Sequence, residues 1–301
     1  MRVKFTALVL FTIVSMWTFA EDSVYSKPTR ADYPRDVFFG DTHLHSRLSA
    51  DAYSLGNMNL TQGDAYLFAQ GQAMTAHNGM RVQLRRPLDF LVVSDHAEYL
   101  GGFYRYNVKD PSVVGTEAAK TWKSALEAGN PNALIAAFSA SMQDPENNPA
   151  FPESVRRSIW QEVAETADHH NKPGQFTALI GYEWTVAIRG NNLHRVVVYR
   201  DGAEKAAQLP PFSGQDSLDP RDLWAALGRY EKKTGGEVMA IAHNGNISNG
   251  MMFPNESIDG KPLTRKYAET RSRWEPIYEV TQVKGDGEAH PTLSPTDEFA
   301  D

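Results

Sequence analysis

His43-Leu44-His45 sets two imidazoles one residue apart, a spacing at which alternate side chains of an extended strand point the same way and can address one cation or two adjacent ones. Donors of the same kind recur three more times. Asp95-His96 follows the apolar run Phe90-Leu91-Val92-Val93, Glu183 follows Ala178-Leu179-Ile180-Gly181-Tyr182, and His243-Asn244 follows Val238-Met239-Ala240-Ile241-Ala242. Asp51, shortly after His45, offers a further oxygen. Imidazoles and carboxylates together form a hard-to-borderline donor set with open positions for water, suited to Zn, Mn or Fe. A carboxylate such as Glu183 can bridge two cations, which no histidine can do. Taken singly, His96 reads as a hydrogen-bonded core histidine and Glu183 as an ion-paired residue at a strand end. The case for metal rests on their coincidence at four strand ends. The chemistry this donor set supports is metal-assisted hydrolysis, in which bound cations acidify water and polarise the bond under attack.

Donors placed this way need strands that end on one rim. Short apolar runs at 37–41, 88–94, 177–181, 193–200, 238–242 and 277–281 read as buried strands. Helical stretches lie between them at 62–76, 117–128 and 153–169. Asp219-Pro220 supplies an N-cap and a first-turn proline for another helix, which runs to Gly235-Gly236. Residues 142–152, with three prolines, read as a loop that can pass over the site. This alternation predicts an α/β fold with a largely parallel sheet and a site at the C-terminal ends of the strands. There is no internal repeat and no boundary of a second domain.

The bulk numbers agree. The 301 residues suit one large α/β unit, and a hydrophobic share of 41% supports a real core. With 30 basic against 37 acidic residues the net charge is −7, so no nucleic-acid partner is expected, whereas a small phosphorylated substrate remains compatible. The absence of cysteine excludes disulfides, thiolate ligands, cysteine nucleophiles and lipoprotein anchoring. Residues 1–20 read as a signal peptide. Arg2 and Lys4 precede an apolar run, and Thr18-Phe19-Ala20 forms a cleavage-site pattern before Glu21. An uncleaved anchor is the alternative; residues 21–35 form a polar leader, and the catalytic domain spans 36–301. The expected location is periplasmic or extracellular, with no later membrane span.

Several segments together resemble a known group. Phe39-Gly40-Asp41-Thr42-His43-Leu44-His45-Ser46, the run from Asp89 to His96, and Ala240-Ile241-Ala242-His243-Asn244 resemble motifs of the polymerase and histidinol phosphatase (PHP) superfamily. Gly181-Tyr182-Glu183-Trp184, Asn192-Leu193-His194-Arg195 and the run from Gln282 to Glu288 resemble its exported branch, domain of unknown function 3604. The resemblance covers nearly everything after the leader. It implies a distorted (β/α)7 TIM-like barrel, two or three divalent cations, and hydrolysis of phosphate esters. By position it implies His43, His45, Asp51, His96, Glu183, His194 and His243 as metal ligands, with Glu183 bridging. Arg47 and Arg195, beside these motifs, become candidates for binding phosphate oxygens, and Asp41 and Asp95 for orienting ligand histidines.

One element departs from that pattern. The superfamily closes with an Asp-x-His pair, and none follows His243; His290 stands before a proline. With six candidate strands, the chain is expected to hold a C-terminally incomplete barrel, as a fragment or as a shortened relative with a reduced metal site. Amide or lactone hydrolysis, and a metal-retaining binding protein without turnover, are the alternatives to phosphoester hydrolysis. His77, His169 and His170 are expected to be structural.

Overall fold

In the computed structural model the chain divides into two units, Met1–Val37 and Phe38–Asp301, and residues 36–287 are described. The signal peptide, the leader and the segment from Glu288 onward, His290 included, lie outside the described residues. The second unit is a mixed α/β fold. Among its described residues six strands form one sheet: β1 Gly40–Leu44, β2 Phe90–Val93, β3 Thr177–Trp184, β4 Arg195–Tyr199, β5 Val238–Ala242 and β6 Ile277–Tyr278. They lie side by side in chain order, and the sheet curls into a half-barrel.

All six expected strands are present, with one displaced. β1 starts at Gly40 rather than at 37, so Phe38 and Phe39 are exposed and His43 lies inside the strand. The direction of β4 corrects the expected parallel order. β1, β2 and β3 run parallel, as do β5 and β6, but β4 is antiparallel to both of its neighbours. The cause lies in the connection. A parallel crossover needs roughly a dozen residues or more, and between Trp184 and Arg195 the chain turns back through a small ribbon, Ala187–Ile188 against Asn191–Asn192. Arg189 (φ 53°) and Gly190 (φ 82°) make the reversal in left-handed conformations.

Alternation along the strands sorts their side chains onto two faces. Leu91, Val93, Ala178, Ile180, Tyr182, Trp184, Val197, Tyr199, Ala240 and Ala242 join the large core beneath the helices. Val92, Val196, Val198 and Ile241 form a separate apolar cluster on the other face. Gly181 shares that second face, where an added Cβ would meet the Val92 side chain and stand 2.7 Å from the Val197 carbonyl oxygen.

The helices cover the first face. Glu153–His170 packs on β3 and on the helix Gln62–Ala69. It buries Ile159 and Trp160, whose indole N–H donates to the Ala206 carbonyl at 2.8 Å. Burying a side chain the size of Ile159 or Leu91 stabilises the fold by roughly 1.5–3 kcal/mol. Helix ends follow local chemistry. Thr61 and Asp64 form a reciprocal capping box, and Asp219 caps Pro220–Thr234, which stops at left-handed Gly235. The first of these helices is shorter than expected: Gly71, at φ 87°, ends it, and residues 74–75 pair with 81–82 instead. Pro131–Ser141 and Arg265–Trp274 are additional helices. Residues 142–152 form a loop as expected. Among the described residues no helix is long and apolar enough to cross a membrane.

Candidate metal centre

The second face of the sheet ends in the donor residues. His43 and His45 occupy alternate positions at the end of β1, and Glu183 lies near the end of β3. Backbone hydrogen bonds extend the ladder past the strands and set the others alongside. His96 bridges to Glu183, the Glu183 N–H donates to the Asp95 carbonyl at 3.0 Å, and the His243 N–H donates to the His194 carbonyl at 3.2 Å. His194 stands before β4 rather than after it. Because β4 is reversed, a residue at its start reaches the same rim as residues at the ends of its neighbours.

Glu183 is fully buried and central. Its Oε2 lies 3.1 Å from His43 Nε2 and 3.0 Å from His45 Nε2. Its Oε1 lies 2.8 Å from His194 Nδ1, 3.2 Å from His243 Nε2 and 3.4 Å from His96 Nδ1. Each carboxylate oxygen thus faces its own set of imidazoles. The rings crowd one another, with centroids 4.1 Å apart for His43 and His243 and 4.5 Å for His45 and His96. Thr185 donates its hydroxyl to Glu183 Oε1 at 3.1 Å and also contacts His96 Nδ1.

Asp51 completes the other end. It lies in the first turn of the short helix Ala50–Ser54, with Oδ1 3.1 Å from His45 Nδ1 and Oδ2 3.3 Å from His96 Nε2. The Ser49 hydroxyl donates to Asp51 Oδ1 at 2.8 Å and accepts the His96 N–H at 3.1 Å.

Burial and charge pull against each other here. Burial opposes a charged His43, but Glu183 and Glu279 outweigh it and hold its pKa up at about 9. His45 is likewise raised well above its ordinary value, against burial, by Asp51 and Glu183. Both carboxyls, Glu183 and Asp51, are held well below theirs by the surrounding histidines despite burial. Burial pushes His243 down to about 4 and lowers His194.

The arrangement fits divalent cations. His45 Nε2 and both ring nitrogens of His194 and of His243 are buried without a hydrogen bond of acceptable geometry, although several lie within ion-pair distance of Glu183. Buried imidazole nitrogens left unpaired are destabilising, and a cation would satisfy one nitrogen of each ring it shares. Two compact donor triads stand out, His43 with Glu183 and His243, and His45 with His96 and Glu183.

The seven residues expected as ligands are therefore brought together. The residues expected beside them are not. Arg47 stacks over the Tyr104 ring at 3.8 Å and donates to the Asn59 carbonyl. Arg195 is buried against Glu275, its Nε donating to Oε1 at 2.9 Å and its NH1 to the Leu193 carbonyl at 2.7 Å. Asp41 accepts from the His43 backbone N–H at 2.7 Å, and Asp95 holds Ser46 and Gln62, so neither orients a histidine ring. His170 stacks on Tyr66 at a helix end, and His77 is exposed.

Three residues are given no role by the reading from sequence. Glu279 contacts His43 Nδ1 at 2.7 Å. Glu98, two positions past His96, is buried and accepts from the Thr185 N–H; burial pushes its carboxyl up to about 8. Asn244, left-handed at φ 59°, buries an amide with no partner among the described residues. Only Asn244 carries a local signal, its place directly after His243.

A family model described as "Protein of unknown function (DUF3604)" matches residues 32–301. No curated protein matches the chain.

Proposed function

The chain belongs to the DUF3604 family, and we propose that it is an exported, metal-dependent hydrolase of phosphate esters, built on the PHP superfamily plan. The observation that carries this reading is the buried Glu183 carboxylate, whose two oxygens face separate sets of histidines. Such a carboxylate suits two neighbouring divalent cations, with Zn, Mn or Fe favoured by the donor types and by the absence of cysteine. Bound cations would supply hydroxide at neutral pH and neutralise charge on the ester. The chain itself sets the donors on strand ends, engages the Nδ1 atoms of His43, His45 and His96 with Glu279, Ser49 and Thr185, and buries the rim. The motif order supports the PHP plan, and the pattern of residues 1–20 supports export.

Arg47 and Arg195 are engaged elsewhere, so neither contributes a guanidinium for phosphate in this arrangement. That observation keeps amides and lactones in the test. Purified protein should be analysed for metal and assayed on a phosphomonoester, a phosphodiester, an amide and a lactone. The expected result is bound Zn, Mn or Fe, with phosphoesterase turnover that a chelator removes and added metal restores. Bound metal with no hydrolysis would favour a binding protein, and absence of metal affinity would overturn the proposal.

The electrostatics add a pH prediction. A metal takes the neutral imidazole, whereas His43 and His45 carry raised pKa values in the metal-free protein. Metal uptake near pH 7 should therefore release protons, and affinity should rise from pH 6 towards 9. Calorimetric titration in two buffers of different ionisation enthalpy measures both. The folded pKa of His43 lies above the unfolded value of about 6.5. Its contribution to the stability of the metal-free fold is thus complete below that value and lost as pH rises through about 9.

A further inference from the structure

His43 has two partners of different kinds. Its Nε2 faces Glu183 Oε2 at 3.1 Å, inside the cluster, while its Nδ1 meets Glu279 Oε2 at 2.7 Å from outside it. An ionised carboxylate accepts hydrogen bonds and donates none. Of the two neutral tautomers, Glu279 therefore favours the one with its proton on Nδ1, which leaves the Nε2 lone pair directed at Glu183 and whatever lies beside it.

Glu279 is itself well held. It follows β6, and its backbone N–H donates to the Ala242 carbonyl at 3.1 Å, which sets it beside His243 on the rim. Its Oε1 accepts from Gln282 Nε2 at 2.6 Å, so a second contact fixes the plane of the carboxylate. The side chains of His43 and Glu279 are 10% and 16% exposed, too little for water to compete freely. A loose surface ion pair would have none of these supports.

We propose that Glu279 is a positioning residue of the metal centre: it selects the tautomer and fixes the ring plane of His43 so that Nε2 can ligate a cation next to Glu183. This rests on the reading of the cluster as a metal site. It gives the first histidine an outer carboxylate of the kind that orients metal-bound imidazoles, whose loss weakens metal affinity by roughly 10- to 100-fold.

The test is a titration of metal-free protein with Mn²⁺ and with Co²⁺, in wild type, Glu279→Ala and Glu279→Gln. Glu279→Ala should bind the same number of ions as wild type, with affinity lower by about 10- to 100-fold and an altered visible Co²⁺ spectrum. Glu279→Gln keeps an oxygen acceptor for Nδ1–H and should recover most of the affinity and the spectrum. It also guards against misfolding in the alanine variant. Wild-type affinity and spectrum in Glu279→Ala would overturn the assignment, as would a lower melting temperature with unchanged affinity. Loss of a whole equivalent of metal would overturn it differently, by making Glu279 a ligand. Failure of the wild type to take up either ion would instead bring down the metal reading on which the proposal stands.

Discussion

Glu183→Gln is expected to strip the cluster of most of its metal affinity and to abolish turnover. The substitution conserves shape but removes the central charge, which faces five histidines through its two oxygens. It also sets an amide N–H₂ against imidazole nitrogens, which as neutral ligands need a cation there rather than a donor. Removing one partner from a buried charge pair typically weakens the system by about 3–5 kcal/mol. At about 1.4 kcal/mol per tenfold, metal affinity should fall at least about 100-fold, and single-turnover hydrolysis should be lost with it. Metal stoichiometry by elemental analysis, alongside turnover, measures both. Full metal content together with wild-type turnover would remove Glu183 from the centre of the site.

The second large effect concerns the fold. The Glu275 side chain is 2% exposed and accepts from Arg195 Nε at 2.9 Å, Trp224 Nε1 at 2.8 Å and Arg271 Nε at 3.0 Å. Burial opposes its charge, yet Arg195 and Arg271 hold its carboxyl below the ordinary range. Glu275→Ala would leave the Arg195 guanidinium buried and unpaired, and the Trp224 indole N–H without its acceptor. The expected loss of stability is about 3–5 kcal/mol, read as a lower urea midpoint in metal-free protein so that bound metal does not mask it. Arg195→Met combined with Glu275→Leu should recover part of the loss, because the buried Arg195 charge is no longer stranded while Trp224 and Arg271 still lack their acceptor. A single-variant loss below about 1 kcal/mol would mean that water reaches the pair.

How far the sequence carried depends on where the information is local. The six strands were legible because apolar runs of strand length alternate with helices. The donors at the ends of β1, β2, β3 and β5 were legible with them. β1 was misplaced at its start because Phe38 and Phe39 look like strand interior, although both are exposed. The reversal of β4 was hidden in a short connection, where Arg189-Gly190 was the available clue. That reversal explains why the donor pattern alone does not find His194: it precedes its strand instead of following it. The helix Pro131–Ser141 carries a readable start, with Asn130 as cap and Pro131 in the first turn. Glu279 carries none. Its partner is 236 positions away, and no spacing along the chain announces a pairing of that kind. Arg47 and Arg195 show the converse failure, since adjacency to a ligand motif did not decide where a long side chain points.

The contact between His43 and Glu279 has a kinetic side. It joins the first strand of the sheet to the residue after the last, and the Glu183 contacts of His43 already span 140 positions. Helices such as Glu153–His170 can form from near neighbours, but the rim cannot. Closing it requires ordering nearly the whole described chain, and contacts of such separation form slowly. On a ribosome the two leading histidines emerge long before Glu183 and Glu279. If the cluster takes metal as proposed, capture at full affinity would be a late event, following the moment the sheet curls into its half-barrel.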